Sequence, residues 1–138
     1  MTRSPAPLAG SCLCGAIAYQ VDALATPIQH CHCHTCRKAH AAACAPTAGI
    51  RPQHFRWLRG EERLKSFESS PGKRRHFCGD CGSHLLAIRE GRPLWVLRVA
   101  TLDTAPPPVE ACHIWMEHAA DWLEAHNAQP RHERFASA

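Results

Sequence analysis

The chain has 138 residues, a formal charge of +4 and an aromatic share of only 7%. That length suits one domain burying roughly two thirds of its unfolded surface, and the scarcity of aromatics predicts a thin core that needs metal as reinforcement. No stretch is apolar enough to span a membrane or to act as a signal peptide, so a cytoplasmic protein is expected.

Residues 1–9 read as a polar, proline-bearing flexible leader, residues 10–128 as the single domain and residues 129–138 as a tail. Ala16 to Val21 alternates like a strand, with Ile17 and Tyr19 on one face. After Pro27 comes a loop rich in His and Cys, and Thr35 to His40 has room for one helical turn. Ala41 to Ala48 is an apolar run stopped by Pro46. Phe55 to Leu58 and Leu64 to Phe67, with Gly60-Glu61 between them, predict a hairpin, and Ser69-Ser70-Pro71-Gly72 predicts a turn. Arg74 to Phe77, His84 to Ile88 and Trp95 to Ala100 read as strands, and Ala105 to Pro108 as a proline-rich connection. The segment 109–128 is ambiguous. Ile114, His118 and Trp122 repeat at helical spacing, whereas Cys112 to Met116 also suits a core strand. The number of short strands favours a mainly β fold of small sheets.

Seven of the nine cysteines lie in three clusters: Cys12 and Cys14, then Cys31, Cys33 and Cys36, then Cys78 and Cys81. In a reducing compartment such clusters are metal ligands rather than disulfides. Cys78-x-x-Cys81-Gly82 lets a tight turn bring both sulfurs to one zinc, with Gly79 and Gly82 free to adopt positive φ. Cys12-x-Cys14 places two thiols on the same side of an extended segment. Together the two pairs make a closed Cys₄ site that clamps most of the chain. The middle trio supplies three ligands and no obvious fourth. It is either an open site or a closed Cys₃His site completed by His30, His32, His34, His40 or a more distant histidine. Seven thiolates against two Zn²⁺ lower the formal charge by three, to about +1, which removes most of the electrostatic case for nucleic acid.

Gly10-x-Cys12-x-Cys14-Gly15, Cys31-His32-Cys33-x-x-Cys36-Arg37-Lys38, Phe77-Cys78-x-x-Cys81-Gly82-Ser83 and a proline-rich stretch before His113-Ile114 occur in this order. The pattern resembles the glutathione-dependent formaldehyde-activating family, which includes the vertebrate centromere protein V, over about residues 10–125. The resemblance implies a fold of several coiled β-sheets, shared with methionine sulfoxide reductase B and a Rab-binding zinc chaperone, and makes residues 109–125 a strand and loop. It also implies a structural zinc on Cys12, Cys14, Cys78 and Cys81 and a catalytic zinc on Cys31, Cys33 and Cys36. Where family members carry a small pair such as Ser-Gly, this chain has Ala39-His40, and that imidazole is a candidate fourth ligand or proton acceptor.

The expected function is carbon–sulfur bond formation. Glutathione or a related thiol enters the open position and attacks formaldehyde or another small carbonyl, giving S-hydroxymethylglutathione. Arg37 and Lys38, or the run Lys73-Arg74-Arg75, are candidates for holding the tripeptide's carboxylates, although that run is most simply a solvated strand edge. The alternatives are a zinc-stabilised module, without catalysis, that binds protein, nucleic acid or a thiol ligand, and a reductase using Cys112. Cys44 and Cys112 otherwise read as small buried apolar residues.

Overall fold

A computed structural model describes residues 6–123 and 129–135. The first five residues of the expected leader, residues 124–128 of the ambiguous segment and residues 136–138 of the tail lie outside the described residues. The architecture is two sheets with one short helix. The smaller sheet joins β1 (Leu8–Ser11), β2 (Ala18–Val21) and β5 (Phe55–Arg59), antiparallel throughout. The larger has seven strands in the order β10 (Ala111–Ile114), β3 (Ile28–Cys31), β4 (Ala45–Ile50), β9 (Trp95–Arg98), β8 (His84–Arg89), β7 (Lys73–Cys78) and β6 (Leu64–Ser70). Its pairs are antiparallel except β10 with β3. The helix α1 (His34–His40) connects β3 to β4.

Strand alternation gives the large sheet two unlike faces. Ile50, Leu86 and Leu97 belong to the core cluster with Tyr19 and Val21 from the small sheet and with Ile17 just before β2. The alternate positions Thr47, Arg75, Val96 and Arg98 line a cavity beside α1. One apolar layer between two sheets therefore carries the hydrophobic stabilisation, and the far face of the large sheet is left for chemistry.

Several expectations change. The segments around Gly60 do not form a hairpin: β5 pairs with β2 in the small sheet, while β6 pairs with β7 at the edge of the large one. Gly60, at φ 78, turns the chain from one sheet to the other, and a Cβ there would strike the carbonyl of Ala16. Gly60→Ala is therefore expected to cost about 3 kcal/mol or more and to lower Tm by roughly 10 °C. An unchanged melting curve would refute that reading. Pro46 does not stop a segment but sits within β4 opposite His30. Instead of several small sheets there is one small and one large. Leu8 and Ala9, assigned to the leader, are in β1, and Leu8 is buried.

The helical spacing after residue 109 does not produce a helix among the described residues. Ala111–Ile114 adds as a parallel strand to β3, Trp115 turns through φ 59, and Met116–His118 makes a single 3₁₀ turn. Trp122 is 66% exposed, so its periodic spacing marks no buried face. Pairing along the β3 edge satisfies the backbone there without one.

Candidate metal centres and the adjoining cavity

Cys12 and Cys14 lie in the turn after β1, and Cys78 and Cys81 lie at the end of β7 and in the turn to β8. Their four sulfurs are all within 4.8 Å of one another. Cys12 Sγ is 3.6 Å from Cys14 Sγ, and Cys14 Sγ is 3.9 Å from Cys78 Sγ. A tetrahedral ion with sulfurs at about 2.3 Å requires sulfur separations of about 3.8 Å, and disulfides lie near 2 Å. These are metal-ligand spacings, and none of the nine cysteines is in a disulfide.

Backbone donors face the same sulfurs: Ile17 N–H donates to Cys12 Sγ at 3.3 Å and Asp80 N–H to Cys78 Sγ at 3.4 Å. Gly15 and Gly82 both take φ 79, and their N–H groups donate to the carbonyls of Cys12 and Cys78. Gly79 does not share the positive φ expected of it. It is needed because a Cβ would crowd the Arg63 carbonyl at 2.8 Å. Ser83 Oγ, 3.2 Å from Cys81 Sγ, heads the influences that pull that thiol down to about 5. The donors to Cys12, Cys78 and Cys81 favour thiolates at those three positions.

The second group forms where β3 runs into α1. Cys31 ends the strand, Cys33 caps the helix by accepting from Cys36 N–H at 3.3 Å, and Cys36 lies on the first turn. These three sulfurs are again mutually within 4.8 Å, and among the described residues no His, Asp or Glu joins them at that distance. Burial pushes the Cys31 thiol up to about 12. Burial would also raise Cys36, but Arg98, Cys33 and Arg75 outweigh it and the thiol falls below its ordinary value. Both guanidinium Nη atoms of Arg75 stand 3.8 Å from Cys36 Sγ, while its Nε donates to Ser69 Oγ at 3.0 Å.

The histidines near the trio have other partners. His32 Nε2 and His113 Nδ1 are 2.9 Å apart, His30 lies tilted against His113 with ring centres 4.9 Å apart, and His34 stacks on His118 at 4.3 Å. His40 faces His84 at 4.6 Å between ring centres. Burial, reinforced by Arg98, His84 and Arg75, lowers its pKa to about 3. Burial and these cations disfavour the protonated form of the His40 ring.

A cavity of about 320 Å³ opens against the trio, and Lys73, Arg75, Arg89 and Arg98 are the cations in its lining. Arg37 and Lys38, expected to hold carboxylates, do not border it. Arg37 Nη1 donates to the His118 carbonyl at 2.8 Å, tying α1 to the last 3₁₀ turn, and Lys38 lines a neighbouring cleft with Phe67 and Phe77. The run 73–75 is not a solvated edge, because β7 lies between β6 and β8 and Arg75 is only 2% exposed. Only Arg74 faces solvent, 3.6 Å from Glu68. Cys112 is exposed and Cys44 half-buried, so neither is the core residue expected.

Arg89 and Arg98 carry no signal in the cysteine motifs. A usable sign of Arg98 was present all the same: an arginine in the middle of an apolar strand is a buried charge that requires an anion.

The family profile described as glutathione-dependent formaldehyde-activating enzyme matches residues 7–118. A Halomonas elongata protein bearing the name "Putative glutathione-dependent formaldehyde-activating enzyme" is 31% identical over 134 aligned positions, which span 85% of this chain and 80% of that protein. A crystal structure of a Rhodobacter sphaeroides protein superposes with a TM-score of 0.62 at 27% identity, covering 76% of this chain and 98% of the other. With its cysteines grouped in four and three and the match extending over most of its length, the chain belongs to the glutathione-dependent formaldehyde-activating enzyme family.

Proposed function

We propose that the protein joins the thiol of glutathione, or of a related small thiol, to formaldehyde or another small carbonyl, as a carbon–sulfur lyase carrying two zinc ions. The observation that carries this reading is the trio of cysteines, open to a cavity and without a fourth ligand among the described residues. Cys12, Cys14, Cys78 and Cys81 would hold the structural ion, and Cys31, Cys33 and Cys36 the second. With an ion held there, an additional sulfur would stay deprotonated near neutral pH, where a free thiol near pKa 8.5 is mostly protonated.

The remaining work belongs to the chain. The cavity admits the thiol with its sulfur directed at Cys31, Cys33 and Cys36, and the surrounding cations hold the rest of the molecule. Sulfur then attacks the carbonyl carbon. A C–S bond forms, the C=O π bond breaks, and the proton given up by the thiol ends on the new hydroxyl, so the addition balances without an oxidant or reductant. Arg75 and Arg98 beside Cys36 offset the negative charge gathered there. This chemistry suits a compartment where glutathione is abundant and cysteines stay reduced, which supports the cytoplasmic reading.

The test is spectroscopic. In cobalt-substituted protein, glutathione should change the thiolate-to-metal charge-transfer band, and Cys112→Ser should alter neither that change nor turnover by more than about twofold, because Cys112 is exposed on the edge strand β10. A band that no thiol moves would favour a non-catalytic module with a closed site. Loss of turnover in Cys112→Ser would favour a thiol reductase.

A further inference from the structure

A second cleft, of about 470 Å³, lies beside the trio's cavity and is the larger of the two. One wall is a single face of α1, where Thr35 and Ala39 stand about one helical turn apart, as do His34 and Lys38. The other wall is the outer end of the large sheet. Phe67 stands opposite Arg75 across β6 and β7, and Ser69 and Phe77 are the next positions on that face. His84 joins this wall, its ring centre 5.6 Å from that of Phe77.

Phe67 is 65% exposed. A lone exposed phenyl ring is ordinary on a protein surface, but this one borders a cleft that meets the trio's cavity. Thr35 and Arg75 line both. Thr35 precedes Cys36 in the chain. Arg75 has both Nη atoms 3.8 Å from Cys36 Sγ, and its Nε donates to Ser69, a residue of the cleft. A group carried away from the trio past these two residues therefore reaches a slot lined by rings.

Size and chemistry indicate what belongs there. Formaldehyde is one carbon and one oxygen, close in bulk to the share of about 30 Å³ that a water molecule takes in the liquid. It leaves the second cleft unused. An aldehyde bearing a ring would put its carbonyl carbon at the sulfur and its ring between Ala39, Phe67 and Phe77. His34, Phe67, Phe77 and His84 are all rings, and aromatic groups gain there from buried area and from edge and offset contacts. The addition itself keeps its balance: the C–S bond forms, the C=O π bond breaks, the oxygen takes the proton given up by the thiol, and the ring stays on the carbon.

We infer that the cleft between α1 and β6 receives the ring of an aromatic aldehyde, so that the carbonyl substrates extend beyond formaldehyde. The inference rests on the proposed thiol reading and deepens it by naming the class of carbonyl. Phe67 and Ala39 select that ring from opposite walls, and neither touches the cysteines' cavity.

The experiment isolates the ring from the sulfur chemistry. S-methylglutathione and S-benzylglutathione share the tripeptide and a blocked sulfur, and they differ by one phenyl group. In calorimetry on zinc-loaded protein, the benzyl compound should bind about 10- to 100-fold more tightly, the range expected for burying one ring. Phe67→Ser, at an exposed position on the edge strand, should abolish that gain without changing Tm or the affinity for S-methylglutathione. Ala39→Leu, which fills the cleft from the helix side, should do the same. In turnover, Phe67→Ser should lower kcat/KM for benzaldehyde about 10-fold and leave that for formaldehyde within about twofold. A benzyl compound that binds no more tightly than the methyl one, or a gain that survives Phe67→Ser, would overturn the inference. The response of cobalt-loaded protein to glutathione would then still decide the thiol reading on its own. If the gain appears and Phe67→Ser removes it while the cobalt band never moves, the aromatic site stands and the thiol-addition reading fails instead.

Discussion

Cys78→Ala is expected to unfold the domain, whereas Cys33→Ala should leave it folded and inactive. The difference follows from where the two cysteine groups sit. Cys78 is fully buried in the main core cluster, and its partners Cys12 and Cys14 come from the small sheet, so this centre joins the two sheets at the apolar layer they share. Beyond the shared apolar layer, the polar ties of the small sheet to the rest are individually weak, among them Tyr19 Oη to Thr101 Oγ1 at 2.6 Å, Ser11 Oγ to Asp103 at 2.6 Å, the Ala9 carbonyl accepting from Asp103 and Thr104 N–H, and a bridge from Gly10 to Leu102. Each such bond contributes about 1 kcal/mol net. A structural zinc contributes apparent free energy on the order of 10 kcal/mol, comparable to the whole stability of a domain this size.

Cys33 presents the opposite case. It is half-buried at the start of α1, remote from the main core, and its structural task is one cap hydrogen bond. Removing that cap costs about 1 kcal/mol, while removing the ligand takes away one third of the second centre. Far-UV circular dichroism and native mass spectrometry check both outcomes: Cys78→Ala should lose its native spectrum, and Cys33→Ala should keep it with one ion per chain instead of two. A folded Cys78→Ala protein would overturn the assignment of the first centre as the structural one.

The cysteine grouping was legible in the sequence because metal geometry is imposed over two to four residues, where spacing alone fixes what sulfurs can meet. Strands β2, β7, β8 and β9 were legible for the same local reason, and α1 appeared within a residue of its expected span. Long-range pairing was not. Phe55 to Arg59 and Leu64 to Ser70 look like partners along the chain, but the positive φ of Gly60 sends one into each sheet. Arg75 was misjudged through the same gap: alternation gives the side of the strand on which a residue lies, and only the presence of β6 and β8 on either flank makes that side an interior. Residues 111–114 show the converse. The spacing of Ile114, His118 and Trp122 suggested a helix and Cys112 to Met116 suited a strand, and pairing along the open edge of β3 decided for the strand.

Arg75→Met should weaken metal binding at the second centre by about 10- to 100-fold, the usual loss when a group supporting a ligand is removed, while the first centre keeps its ion. Arg75 holds Cys36 through geometry as well as charge: two guanidinium nitrogens lie at equal distance from the sulfur, and the third is fixed by Ser69. Lysine offers one point charge in place of that fork, so Arg75→Lys should recover only part of the affinity. Competition with a graded series of chelators reads both centres in one sample, the first serving as internal reference. The decisive comparison uses a background in which Cys31, Cys33 and Cys36 are all replaced by alanine. There the buried guanidinium has lost its anion, and burying such a charge uncompensated costs several kcal/mol, so Arg75→Met should become neutral or stabilising in thermal unfolding. The same substitution should thus change sign with the thiols present or absent, and destabilisation by an equal amount in both backgrounds would show Arg75 to be a packing residue with no part in the centre.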